Sequence, residues 1–172
     1  MKKLGLCLVM ITALCFLLTG MGLSQDDIKK HPSCKYCGMD REKFAFSRML
    51  IEYDDGTTEG TCSLHCLAVE LALKVDKTPK AILVGDLNTK ALIDAEKGFW
   101  VMGGKKMGVM TKRGKWAFAK KEDADKFKGE NGGDSITFEL AVKAAYEDMD
   151  ADTKMIRDRR KMMRQKTMEH KH

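Results

Sequence analysis

Apolar positions follow two regimes along the chain. From Leu4 to Leu18 they are nearly continuous, preceded by Lys2 and Lys3 and followed by Gly20, Gly22 and Ser24. A charged start, an apolar run short of the roughly 20 residues of a membrane span, and a small-residue exit together read as a cleavable export signal over residues 1 to about 24. From Ser33 onward, strand-like and helix-like periods alternate. Phe44 to Tyr53 is rich in aromatic and aliphatic residues, which predicts a strand, and Asp54-Asp55-Gly56 marks a hairpin. Thr57–Thr61 is its returning strand. Leu64, Leu67, Ala68, Leu71 and Ala72 then recur at helical spacing, and this helix should end near Lys77-Thr78, before Pro79. Ala81–Val84 reads as the next strand.

The same order recurs further on. Trp100–Met102 enters a turn at Gly103-Gly104, Lys115–Ala119 pairs back, Glu122–Lys128 is helical, and Ile136–Phe138 follows the Asn131-Gly132-Gly133 turn. A last helix, about Glu139 to Met163, carries Leu140, Ala144, Ala145 and Met149 on one face. The expected fold is α+β: two strand-strand-helix-strand units with antiparallel hairpins, plus a C-terminal helix. Three segments follow: a signal peptide (1–24), a metal-binding domain (25–138), and a C-terminal helix with a basic, Met/His-rich tail (139–172).

Charge narrows the function. The chain has 31 Lys and Arg against 25 Asp and Glu, net +6, with the signs interspersed. The one basic cluster runs from Arg157 through Arg159, Arg160 and Lys161 to Arg164, Lys166 and Lys171. It reads as a solvated helix end, so no nucleic-acid partner is expected. Hydrolytic signatures are absent: there is no nucleophile elbow, phosphate loop or HExxH. The chain reads as a binding protein, not an enzyme.

The chemistry sits in two cysteine pairs, Cys34-Lys-Tyr-Cys37-Gly38-Met39 and Cys62-Ser-Leu-His65-Cys66. With Cys7 and Cys15 removed in the leader, four remain. An even count in an exported chain raises disulfides, but rings this small close little chain entropy. A pairing between the two motifs stays open. Cys62 opens the predicted helix and Cys66 lies one turn on, so both face one side. The helix N-terminus favours thiolate there. Two pairs converging on one ion suit either Zn2+ in a closed four-thiolate site or Cu(I) in a softer, lower-coordinate one. A thiol-disulfide oxidoreductase is a third reading, although its CxxC motif normally opens a helix after a strand. Met102 and Met49 read as core. His31 lies just before Cys34. The tail adds Met155, Met162, Met163, Met168, His170 and His172 as a candidate copper-capturing arm, and Asp86 and Asp94 read as turn caps.

The first motif resembles the signature of the NosL family, copper-binding accessory proteins of nitrous-oxide reductase. The resemblance continues in order through Val84-Gly-Asp86-Leu87, Leu92-Ile93-Asp94-Ala95 and Trp100-Val101-Met102-Gly103. It resumes at Gly108-Val109-Met110, Trp116-Ala117-Phe118, Asp123–Phe127 and Asn131-Gly132-Gly133, covering Ser33 to about Phe138. It implies a periplasmic Cu(I) chaperone that serves nitrous-oxide reductase or its membrane assembly machinery. It also implies paired units like those of an organomercurial-lyase domain. The ligands it carries over are Cys34, Cys37, Met39 and Met110, with His65 weaker; Cys62 and Cys66 are additional to the minimal pattern. Valine and threonine flank Met110 where the family has proline and glycine, which makes Met107 the fallback. Neither Cys7 nor Cys15 directly follows a small residue, so a lipoprotein anchor is not expected. A partly open Cu(I) site also leaves a metal-bridged dimer available.

Overall fold

The computed structural model describes residues 26–169. The expected signal segment, His170 and His172 lie outside the described residues. Among those described, no helix is long and apolar enough to cross a membrane.

The architecture is α+β, with the two expected strand-strand-helix-strand units. A short helix α1 (Asp26–Lys30) leads into the first unit: β1 (Met49–Tyr53), β2 (Thr58–Thr61), α2 (Leu64–Leu73) and β3 (Pro79–Gly85). The second unit repeats the order as β5 (Phe99–Met102), β6 (Lys115–Phe118), α3 (Lys121–Asn131) and β7 (Asp134–Ile136). In both, the first strand lies in the middle, giving β2-β1-β3 and β6-β5-β7, with every neighbouring pair antiparallel. Between the units, β4 (Leu92–Asp94) adds an edge to the first sheet, a strand the periodicity does not announce.

Strand alternation separates two cores. On β1, Met49, Ile51 and Tyr53 are buried against Leu64, Leu67 and Ala68 of α2. Trp100 and Ala117 face this same core from the second sheet, whereas Val101, Trp116 and Phe118 face the other way, onto Ala124 and Phe127 of α3. The second sheet is therefore covered on both sides.

Several expectations need correction: α2 ends at Leu73, not near Lys77-Thr78, and Phe138 opens a helix instead of closing β7. The first strand begins at Met49, not Phe44. The Asp40 carboxylate accepts from the backbone N–H groups of Glu42 and Lys43 and seeds consecutive turns up to Arg48. The last helix is two helices, α4 (Phe138–Glu147) and α5 (Met149–Glu169). They break at Asp148, whose carboxylate is held by Arg113 and Lys115 of the second unit. Phe138, Ala141 and Ala145 of α4 enter the main core. On α5 only Asp152 is buried.

The most consequential polar feature is a buried knot. Arg41 and Arg48 both donate to the Asp27 carboxylate at 2.8 Å, and all three side chains are almost fully enclosed. Arg41 also donates to the carbonyls of Asp27, His31, Met49 and Thr61. Gly60 leaves it room, since a Cβ there would lie 2.7 Å from the guanidinium carbon. Asp27→Asn should leave two buried guanidinium groups facing a neutral amide and cost ~3–5 kcal/mol. Urea denaturation measures this, and a loss below ~1 kcal/mol would mean that the knot does not hold the fold.

Candidate metal centre

The loop of residues 33–40 is closed at its base by a bridge between Ser33 and Asp40 and by the Arg41 N–H donating to the Pro32 carbonyl at 2.9 Å. Inside it, the Cys34 N–H donates to the Met39 carbonyl at 2.8 Å, and the Gly38 N–H donates to the Cys34 carbonyl at 2.9 Å. Gly38 has φ +73°, a left-handed conformation that favours glycine. The result is a tight knuckle presenting both thiols on one side. Opposite it, Cys62 sits between β2 and α2. Its carbonyl accepts from the Ser47 hydroxyl at 2.9 Å. Cys66 lies one helical turn on.

All four Sγ atoms lie within 4.8 Å of one another. Cys37 Sγ is 3.4 Å from Cys62 Sγ, which is 3.8 Å from Cys66 Sγ. A tetrahedron with Zn–S bonds of ~2.3 Å has sulfur edges of about 3.8 Å, so the cluster is near the size that encloses one ion. Cys34, Cys62 and Cys66 are buried, Cys37 is half-exposed, and all four are free thiols.

No cation within the cluster balances a thiolate, so the sulfurs balance one another. Hydrogen bonds from Cys37, Cys62 and Cys66 draw the Cys34 thiol far below its ordinary range. The same sharing pushes Cys62 and Cys66 up. Cys37 is raised by Cys34 but drawn down more by Cys62 and Cys66, and ends at about 7. Cys34 is therefore the thiol whose negative charge the other three stabilise.

Thioethers complete the surroundings. Met39 and Met110, both half-buried, pack against the cysteine group together with Tyr36, Phe44 and Val109. Met110 has φ +63°, a strained backbone for a non-glycine residue. Met107 is 54% exposed and borders the adjoining groove. The two histidines stand elsewhere. His65 Nδ1 lies 3.8 Å from the Asp152 carboxylate, and burial lowers its pKa despite that carboxylate. His31 Nε2 is 2.9 Å from the Thr58 hydroxyl. Neither belongs to the four-sulfur group. Asp86 and Asp94 do cap turns, and Asp86 also accepts from the Ala119 N–H at 2.7 Å, tying the two units together.

Sequence reasoning missed the residue that anchors the knuckle to the helix. Glu70, fully buried, accepts from the hydroxyls of Tyr36 and Tyr53. Burial raises its pKa, but those hydrogen bonds and Lys35 outweigh that and leave it lowered. The signal was present in the spacing: Cys62, Cys66 and Glu70 form one i, i+4, i+8 stripe. Arg160 of α5 adds a second tether, donating to the Cys37 carbonyl at 3.1 Å.

Metal-free protein kept without oxygen should react with iodoacetamide first at Cys37, the accessible thiol. Because that pKa is lowered, the reactive thiolate persists as pH falls and is lost only through about 7. Peptide mapping across a pH series checks this; first modification at Cys62 or Cys66 would contradict the burial order.

Residues 25–146 match the model of the NosL family. No curated protein matches the chain. Among solved structures, the copper chaperone NosL from Shewanella denitrificans is similar with a TM-score of 0.50 and 23% identity, over 62% of this chain and 87% of that one. At that identity the likeness is one of fold. With the family match spanning most of its length, the chain belongs to the NosL family.

Proposed function

We propose that this chain is an exported Cu(I) carrier that supplies copper to nitrous-oxide reductase or its membrane assembly machinery. The observation that carries the reading is a four-thiol cluster with one half-exposed member, Cys37, and two half-buried thioethers packed on it. Thioethers bind soft Cu(I) well and offer little to Zn2+. Cys62 and Cys66 are held protonated until an ion displaces their protons, so loading of the cluster is pH-dependent. The exposed side at Cys37 lets a recipient's ligand enter before the carrier's ligands leave. Membership of the NosL family supports copper as the cargo, as does the name of the similar Shewanella denitrificans protein. Such a carrier performs no bond-making on its cargo beyond ligand exchange and is not an enzyme. Export follows from the leader-like residues 1 to about 24, and the periplasm is the proposed compartment.

A second reading is a structural Zn2+ site. It draws on the same convergence of four sulfurs within 4.8 Å, which suits tetrahedral thiolate coordination. The two readings separate experimentally. Protein loaded without oxygen in an equimolar Cu(I)/Zn2+ mixture should retain Cu(I) against a mild Cu(I) chelator. Cys34→Ser and Cys37→Ser should each lower retention by about tenfold or more, the effect of losing one thiolate worth at least ~1.4 kcal/mol. Preferential Zn2+ retention, with all four single serine variants unfolding once metal is removed, would establish the structural reading instead.

A further inference from the structure

We propose that the chain has a second Cu(I) site made of thioethers alone. Met107, Met110, Met155 and Met163 border it, and the ion passes through it between the buried thiols and solvent. The proposal rests on the Cu(I)-carrier reading above and adds to it a path by which the ion leaves the thiols.

The groove lies between the second unit and α5 and has a volume of about 510 Å3. Five methionines border it, Met39 being the fifth, and no cysteine, histidine or carboxylate does. Met39 and Met110 also pack against the four thiols, so groove and cluster share a wall. Exposure rises stepwise along the wall. The three inner cysteines are at most 2% exposed, Met39, Met110 and Met155 are half-buried, Met107 is 54% exposed and Met163 reaches 65%.

Three features go beyond packing. Large apolar side chains at the outer end stand in water, where filling a core cannot explain them. Met155 and Met163 are two turns apart on α5, on the face that also holds Arg160, and Arg160 ties that face to the Cys37 carbonyl. Met110 is held at the shared wall by a strained left-handed backbone of the kind that accumulates at functional sites.

The donor type fits transit. A thioether carries no proton to lose and no charge, so it holds Cu(I) weakly at any pH, and a hydrated divalent ion gains nothing from it. The rim residues Lys106, Arg159 and Arg160 further shorten the stay of a cation. Each step breaks one Cu–S bond and forms another. Copper remains Cu(I) throughout, and a vacated thiolate takes a proton from solvent, so no oxidant or reductant is involved.

The test uses protein with 13C-labelled methionine ε-methyl groups, under anaerobic conditions, titrated with Cu(I). The first equivalent should fill the thiol cluster. The second should shift the Met107, Met155 and Met163 methyl resonances together. In a Met155→Leu/Met163→Leu variant, whose volume is nearly conserved, equilibrium retention of the first ion should be unchanged. Its transfer to bathocuproine disulfonate in stopped flow should be about tenfold slower, a barrier change of ~1.4 kcal/mol. Unmoved methyl groups, or equal transfer rates in the two proteins, would overturn the proposal while leaving the carrier reading intact. A wild-type protein that retains no Cu(I) at all would overturn both.

Discussion

The four-sulfur site depends on a guanidinium that never touches a sulfur. Arg41 sits at the base of the cysteine loop and donates to four carbonyls from separate segments: α1, the entry to the loop, β1 and β2. Closing a loop against a sheet costs conformational entropy, and a rigid fork with five donors offsets much of it at one point. Burying that charge carries its own desolvation cost, which the Asp27 carboxylate offsets. Thr61, one of the anchored carbonyls, immediately precedes Cys62, so the fork fixes the spacing between the two cysteine pairs. Tyr36, inside the loop, then meets Glu70 one turn beyond Cys66. The loop is thus held to the sheet by Arg41 and to the helix by Glu70.

Electrostatics joins these anchors to the chemistry. Burial lowers the Arg41 pKa, and the charges of Asp27 and of the Cys34 thiolate both oppose that shift. The Cys34 thiolate and the buried guanidinium are therefore mutually favourable. In a low-dielectric interior such a coupling reaches further than it would in water.

Much of the fold was legible because it obeys simple periods. The two hairpins, the helix after Cys62 and the repeated order all follow from spacing and turn residues. The errors arose where a polar side chain overrode an apolar pattern. The aromatic run from Phe44 reads as strand, yet the Asp40 carboxylate winds its first residues into turns. The terminal helix reads as continuous, yet Arg113 and Lys115, more than thirty residues away, hold the break at Asp148. At the site, the four cysteines lie within 4.8 Å of one another with Met39 and Met110 packed against them, whereas the resemblance placed Cys62 and Cys66 outside the minimal pattern. The two histidines do not join them, because helix geometry turns His65 from the face of Cys62 and Cys66 towards Asp152. Charged residues such as Asp27, Arg41 and Arg48 read as surface in a sequence, and nothing in their spacing reveals that they pair across 14 and 21 positions.

Helix α5 is the least self-sufficient element. Of its 21 residues only Asp152 is buried. It is docked by polar contacts: Asp148 at its start with Arg113 and Lys115, Asp152 with the Lys112 N–H, and Arg160 with the Cys37 carbonyl. An exposed hydrogen bond of the last kind is worth ~0.5–1.5 kcal/mol. The distal part of α5 therefore opens at far lower free energy than the sheets do. Cys37 is the one cluster thiol that is not buried, and its backbone holds the last of these contacts. Loss of that one contact separates the end of α5 from the loop that carries Cys37, at a cost small beside the global stability.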